Sequence, residues 1–216
     1  MKVLVVGASR GTGAELVAEL AGRGHLVTAY ARRPGEHGEE VRTVTGDVLD
    51  ADSLAKAMIG QDAVAVTLGI PDNPFRVRLT RRASSRLDVR SAGTAAVVAA
   101  MREQGVRRLV VQSTYGIGDT YRHLPLALKA FFTLAIRPQV RDHEVQERLV
   151  RESGLAWTIV RPTVLHDDPA EEPAYVSTDD RAPSMRVSRR QVARVEADAL
   201  EDDGRVSQVL SVTAPA

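Results

Sequence analysis

Gly7-Ala8-Ser9-Arg10-Gly11-Thr12-Gly13 decides how this chain is read. It follows Lys2-Val3-Leu4-Val5-Val6, an apolar run with the signature of a buried parallel strand. It precedes Ala14-Glu15-Leu16-Val17-Ala18-Glu19-Leu20-Ala21, whose apolar residues recur at helical spacing. A strand, a glycine-rich turn and a helix start compose the first half of a dinucleotide-binding βαβ unit. One glycine permits the tight turn, one lets a pyrophosphate approach the backbone, and one lets the helix pack closely on the strand. The exposed N–H groups and the positive end of the helix dipole favour phosphate there. Gly7, Ser9, Arg10, Gly11, Thr12 and Gly13 are therefore candidate cofactor residues.

Size and composition narrow the classes. The chain has 216 residues and 44% hydrophobic content, enough for one domain over residues 1–216 with a substantial core. Charged residues make up 26% and the formal net charge is +1, which indicates neither disorder nor a polyanion-binding surface, so no nucleic-acid partner is expected. The absence of cysteine excludes disulfides, thiolate catalysis and Cys-based metal sites. The first apolar run is too short for a signal peptide, and Lys129 interrupts the nearest approach to a membrane span, Leu126 to Ile136. A cytoplasmic protein without a membrane partner is the expectation.

Further along, Leu26-Val27-Thr28-Ala29-Tyr30-Ala31 predicts a second strand, ending in Arg32-Arg33-Pro34. In a doubly wound fold this strand end faces the adenosine ribose. An acid there favours NAD, whereas arginine accommodates the 2′-phosphate of NADP. Arg32 and Arg33, with Arg10 on the other side, point to NADP(H); the alternative is a solvated loop. Val41 to Gly46 alternates like a third strand, and Asp50 or Asp52 can cap the helix that follows. Asp62 to Gly69 predicts a fourth strand beside the first, with Leu68 and Gly69 at the cofactor crevice. Arg78, Arg82, Arg86 and Arg90 recur every four residues on a helix starting near Arg76 or Ser84, as a solvated face or an anion-binding surface.

Arg107 to Ser113 predicts a fifth strand, with Ser113 at its carboxyl end, where open α/β sheets bind ligands. A long helical region follows, broken near Arg137-Pro138 and resuming over Val140 to Glu152. Leu155 to Val160 predicts a sixth strand with Arg161-Pro162-Thr163 at its end. Leu165 to Arg186 reads as an irregular insertion. Ser188 is placed to cap a helix over Arg189 to Leu200, and Val206 to Val212 supplies a last strand. Substrate-pocket segments are expected near 70–90, 114–140 and 165–187.

Several of these pieces together resemble the atypical, NAD(P)H-binding branch of the short-chain dehydrogenases, which includes flavin/biliverdin reductase-like and NmrA-like proteins. They are Gly7 to Gly13, Gly46-Asp47-Val48, Gly105 to Val110 leading to Ser113, Asp142-His143-Glu144, and Ser153 to Pro162. The resemblance implies a doubly wound parallel α/β sheet with helices on both faces. It also implies that Asp47 and Val48 hold an adenine. Ser113, with Pro162 and Thr163 on the wall, is expected beside the nicotinamide because these residues stand at the carboxyl ends of adjacent strands. The main branch's Tyr-x-x-x-Lys is missing: Tyr121 is followed four residues on by Pro125, and no tyrosine stands four residues before Lys129.

Candidate proton donors are then Tyr115, Tyr121 and His143. His143 and Glu147 also have the spacing of a metal pair, but no third ligand is evident, and no metal is expected. The leading functional expectation is an NADPH-dependent reductase of a small molecule whose acceptor group delocalises charge: a flavin, a quinone or an enone. The alternatives are a dinucleotide-binding sensor without turnover and a redox-neutral isomerase or cyclase. Oligomeric state is not legible.

Overall fold

The computed structural model describes residues 1–69, 87–134 and 136–215. Arg78, Arg82 and Arg86, and the loop that begins at Ile70, lie outside the described residues.

The chain builds an eight-stranded sheet in the order β3-β2-β1-β4-β5-β6-β10-β8. The strands are β1 Lys2–Val6, β2 Leu26–Ala31, β3 Arg42–Thr45, β4 Ala63–Val66, β5 Arg108–Gln112, β6 Ala156–Pro162, β8 Tyr175–Ser177 and β10 Gln208–Thr213. All neighbours run parallel except β8, which lies antiparallel on β10. The strand order reverses at β1, which pairs with β2 on one side and β4 on the other, so Val6 stands opposite both Tyr30 and Val66. That reversal opens a crevice beyond the carboxyl ends of the strands.

Side-chain alternation along the strands divides the core into two layers. Val3 and Val5 of β1 pack with α1 (Thr12–Gly22) and α6 (Arg189–Glu201), through Leu16, Val17, Leu20, Val192 and Leu200. Leu4 and Val6 pack on the opposite face with α2 (Ala51–Met58), α3 (Val89–Gln104) and α5 (Arg137–Arg151), through Leu54, Met58, Val97, Met101 and Val150. A third apolar cluster lies beyond the strand ends. It is made by Tyr115, Leu124 and Phe132, with Leu128 and Phe131 of α4 (Leu126–Leu134), Ile136, Val140 and Met185.

Several expectations need correction. Leu165 to Arg186 is not wholly irregular. It holds β8 and half of a small parallel pair, β7 (Val164–His166) with β9 (Arg186–Ser188). Three-residue strands are too short to show an alternation. The last helix before β6 starts at Arg137 rather than Val140, because Pro138 falls in its first turn, where a missing N–H costs nothing. The helix that ends at Gln104 starts at Val89, with Leu87 and Asp88 in a turn before it, while the expected starts at Arg76 and Ser84 lie outside the described residues.

Candidate functional site

A cleft of about 1200 Å³ follows the carboxyl ends of β1, β2, β4, β5 and β6. Gly7, Ser9, Arg10, Gly11, Thr12, Arg32, Arg33, Asp47, Val48, Leu68, Gly69, Ser113, Tyr115, His143, Pro162 and Thr163 all line it. Gly13 does not line it but is buried beneath the turn, where a Cβ would collide with the Gly7 carbonyl and the Thr67 hydroxyl.

The first end of the cleft suits a dinucleotide. Gly7 and Gly11 adopt φ of +99° and +58°, a region that side chains rarely enter, and a Cβ on Gly7 would lie 2.8 Å from the Thr67 carbonyl oxygen. Thr67, which the sequence reading missed, ties the turn to β4: its N–H donates to Val6 O at 2.9 Å, and its hydroxyl lies 3.2 Å from the same oxygen. The turn thus offers a backbone surface bare of side chains at the start of α1, as a pyrophosphate requires. Tyr30 reaches from β2 to the adenosine side of the cleft, donating its hydroxyl to Asp47 O at 2.8 Å. Asp47 itself is held by the Leu49 N–H at 3.0 Å, and Val48 is buried behind it. The exposed Arg10, Arg32 and Arg33 line the same side. Arg189, from the first turn of α6, closes over Gly11 and is paired with Asp167 at 2.7 Å. No motif marked this contact, which joins segments far apart in the chain.

At the other end, backbone hydrogen bonds extend the strands past their formal limits: Ser113 N–H to Val160 O (2.7 Å) and Tyr115 N–H to Pro162 O (2.8 Å). Ser113 is 3% exposed, and its hydroxyl has no hydrogen-bond partner among the described residues. A buried hydroxyl on a cleft wall without a partner is positioned for a ligand oxygen.

The two cleft-lining candidate donors are differently placed. Tyr115 donates its hydroxyl to the Asp180 carbonyl at 2.9 Å, and burial pushes its pKa up. His143 is 8% exposed, and burial, helped by the nearby Arg90 charge, holds its pKa well below the usual imidazole value. Its Nδ1 lies 3.2 Å from Gln146 Oε1, and Gln146 Nε2 donates to Thr94 at 3.0 Å. In this network Nδ1 carries the proton and Nε2 is an acceptor. Tyr121 does not line the cleft; its hydroxyl meets Thr133 at 3.0 Å. Glu147, the proposed partner of a metal pair, is instead bound by Arg161 through contacts of 2.8 and 2.6 Å. Among the described residues no group of three or more His, Asp or Glu is placed to hold a metal.

Of the arginine series, read as a solvated face or an anion-binding surface, Arg90 is the member among the described residues, and it is not solvated. It is 8% exposed, lines the cleft, and its Nε and Nη1 have no hydrogen-bond partner among the described residues. Asp142 explains where its helix starts. The Asp142 carboxylate accepts from the N–H groups of Arg90 (3.1 Å) and Ser91 (3.0 Å), acting as a cap donated by another helix.

A switch-point crevice, a bare glycine turn and a strand-end serine define a Rossmann dinucleotide-binding protein of the oxidoreductase type. The chain belongs to the NAD(P)H-binding family, whose model matches residues 7–203. It is 30% identical over 223 residues to (4-alkanoyl-5-oxo-2,5-dihydrofuran-3-yl)methyl phosphate reductase of Streptomyces griseus, covering 99% of this chain and 68% of that one. Its fold matches a Veillonella parvula short-chain dehydrogenase/reductase in complex with NADP (TM-score 0.80, 22% identity, 100% of this chain and 95% of that one). It also matches ChuY, an anaerobillin reductase of Escherichia coli (TM-score 0.73, 22% identity, 100% and 98%). No helix among the described residues is long and apolar enough to cross a membrane.

Proposed function

We propose that this protein is an NADPH-dependent reductase of a small conjugated acceptor such as a flavin, a quinone or an enone, and that residues 1–216 act as one unit. The observation that carries this reading is the contrast within one cleft wall. The Ser113 hydroxyl is buried and without a partner among the described residues, while Tyr115 and His143 have their protons directed at the Asp180 carbonyl and Gln146. The nicotinamide, when bound, supplies the hydride. Ser113 donates a hydrogen bond to the acceptor oxygen as negative charge gathers there. Pro162 and Thr163 form the wall beside it and restrict approach to one face. His143 Nε2 accepts a hydrogen bond and orients its donor. An acceptor that spreads its charge needs no dedicated acid, and water protonates it afterwards. The name of the Streptomyces relative's substrate describes a carbonyl-bearing dihydrofuran, an acceptor of this kind. Arg10, Arg32 and Arg33 favour NADP(H) over NAD(H) by their charge at the adenosine side.

The test is NADPH oxidation against flavins, quinones, enones and simple ketones, repeated with Tyr115→Phe and His143→Ala. Turnover of conjugated acceptors that survives in both variants supports the reading. Turnover of simple ketones alone, or near-total loss in either variant with cofactor binding intact, overturns the acid-free mechanism. Cofactor binding without oxidation of any acceptor makes the protein a sensor.

A further inference from the structure

Arg90 is a buried cation with donors to spare. Its residue is 8% exposed, it lines the cleft, and its Nε and Nη1 lack partners among the described residues. Among the described residues it is paired with Asp142, whose Oδ2 lies 3.8 Å from Arg90 Nη1, beyond hydrogen-bond distance. That carboxylate is already committed: it accepts from the N–H groups of Arg90 and Ser91 and from the Ser91 hydroxyl at 2.5 Å. His143, the cationic alternative on the facing helix, is held neutral by burial and by Arg90 itself. Buried guanidinium donors are costly to leave unmatched, and a planar anion satisfies two of them at once.

The remaining wall at the acceptor end has the opposite character. Leu124, Leu128, Phe132, Ile136, Val140 and Met185 line the cleft as one apolar cluster. Among the described residues the cleft therefore combines an apolar compartment with the buried Arg90 cation.

We infer that Arg90 is the specificity-determining residue of the acceptor site, and that it selects acceptors carrying a carboxylate or phosphate on an otherwise apolar conjugated body. This rests on the reductase reading for the word acceptor, but the binding it asserts does not need turnover. The anion pairs with the Arg90 guanidinium where that residue lines the cleft, and the apolar body fills the compartment beside Phe132 and Met185.

The experiment is equilibrium binding to the NADP⁺-saturated protein. The probes are two neutral and anionic pairs: riboflavin with FMN for phosphate, and naphthoquinone with naphthoquinone carboxylate for carboxylate. Wild type, Arg90→Met and Arg90→Lys are compared, with circular dichroism to confirm folding. Wild type is expected to bind at least one anionic member about tenfold more tightly than its neutral partner. The pair that shows the preference identifies the anion. Arg90→Met reduces the ratio to within about twofold, Arg90→Lys keeps part of it, and NADP⁺ affinity stays unchanged in both. Equal binding of both members of both pairs by wild type overturns the inference. So does a preference that persists in folded Arg90→Met, or a parallel loss of NADP⁺ affinity, which assigns Arg90 to the cofactor. Should Arg90→Met not fold, the wild-type ratios and their reduction in Arg90→Lys decide. Failure of the reductase reading shows elsewhere, as absent NADPH oxidation, and leaves these ratios unaffected.

Discussion

Asp142 and Ser91, 51 residues apart in the chain, share the first turn of α3: Asp142 Oδ1 accepts from the Ser91 N–H at 3.0 Å and from its hydroxyl at 2.5 Å. The helix has no side-chain cap of its own at Asp88. One carboxylate from α5 therefore fixes where α3 begins, and with it the position of Arg90 on the cleft wall. Asp142→Ala leaves these buried donors unmatched and should destabilise the fold by about 1–3 kcal/mol. Asp142→Asn should cost less, since its carbonyl oxygen still accepts. Urea unfolding measures both, and a loss near zero for Asp142→Ala would remove the capping role.

Glu147 and Arg161 anchor α5 to the end of β6. Their side chains are each 6% exposed and meet through two short contacts. Glu147→Leu strands the Arg161 charge in the interior and should cost about 3–5 kcal/mol. The double replacement Glu147→Leu with Arg161→Met removes both charges and should recover much of that loss. Additive losses in the double-mutant cycle would contradict this.

Glu196 on α6 is fully buried, and neither carboxylate oxygen has a partner among the described residues. Burial raises its pKa well above the ordinary value. With the folded value above the unfolded one of about 4.3, folding takes up a proton in the interval between them. Its contribution is fully present below the unfolded pKa and is lost as pH rises through the folded pKa. Thermal unfolding of wild type should therefore weaken with rising pH relative to Glu196→Leu, with the gap widest under alkaline conditions. A gap independent of pH would mean that the group keeps its unfolded pKa.

Arg33 lines the cleft just past the end of β2. Reversing its charge with Arg33→Glu should lower the preference for NADPH over NADH by about tenfold or more, one charge-assisted contact being worth roughly that factor. Calorimetric titration of both cofactors checks it. An unchanged ratio would place the 2′-phosphate away from this residue.

Gly7 to Gly13, the apolar runs on either side, and the strands through β6 were legible because their signals are local. Strand, turn and helix each have a periodicity or a backbone requirement that a few consecutive residues must meet. Ser113 was legible by its place at a strand end. Arg90 was not, since its four-residue spacing from other arginines is also what a solvated face shows. Only the packing of the tertiary structure buries it and sets it in the cleft wall. Asp142 and Glu147 stood in a recognisable stretch, yet their partners Ser91 and Arg161 lie elsewhere in the chain, and the sheet brings them together. Tyr115 and His143 were named as donors from residue type and, for Tyr115, from its place two residues beyond Ser113. The tertiary structure supplied what no local signal carries, that the Tyr115 hydroxyl meets the Asp180 carbonyl and that His143 is buried beside Arg90, since whether such a group offers a proton depends on burial and on its neighbours. Local sequence determined the dinucleotide-binding frame, and long-range packing decided the chemistry of its acceptor end.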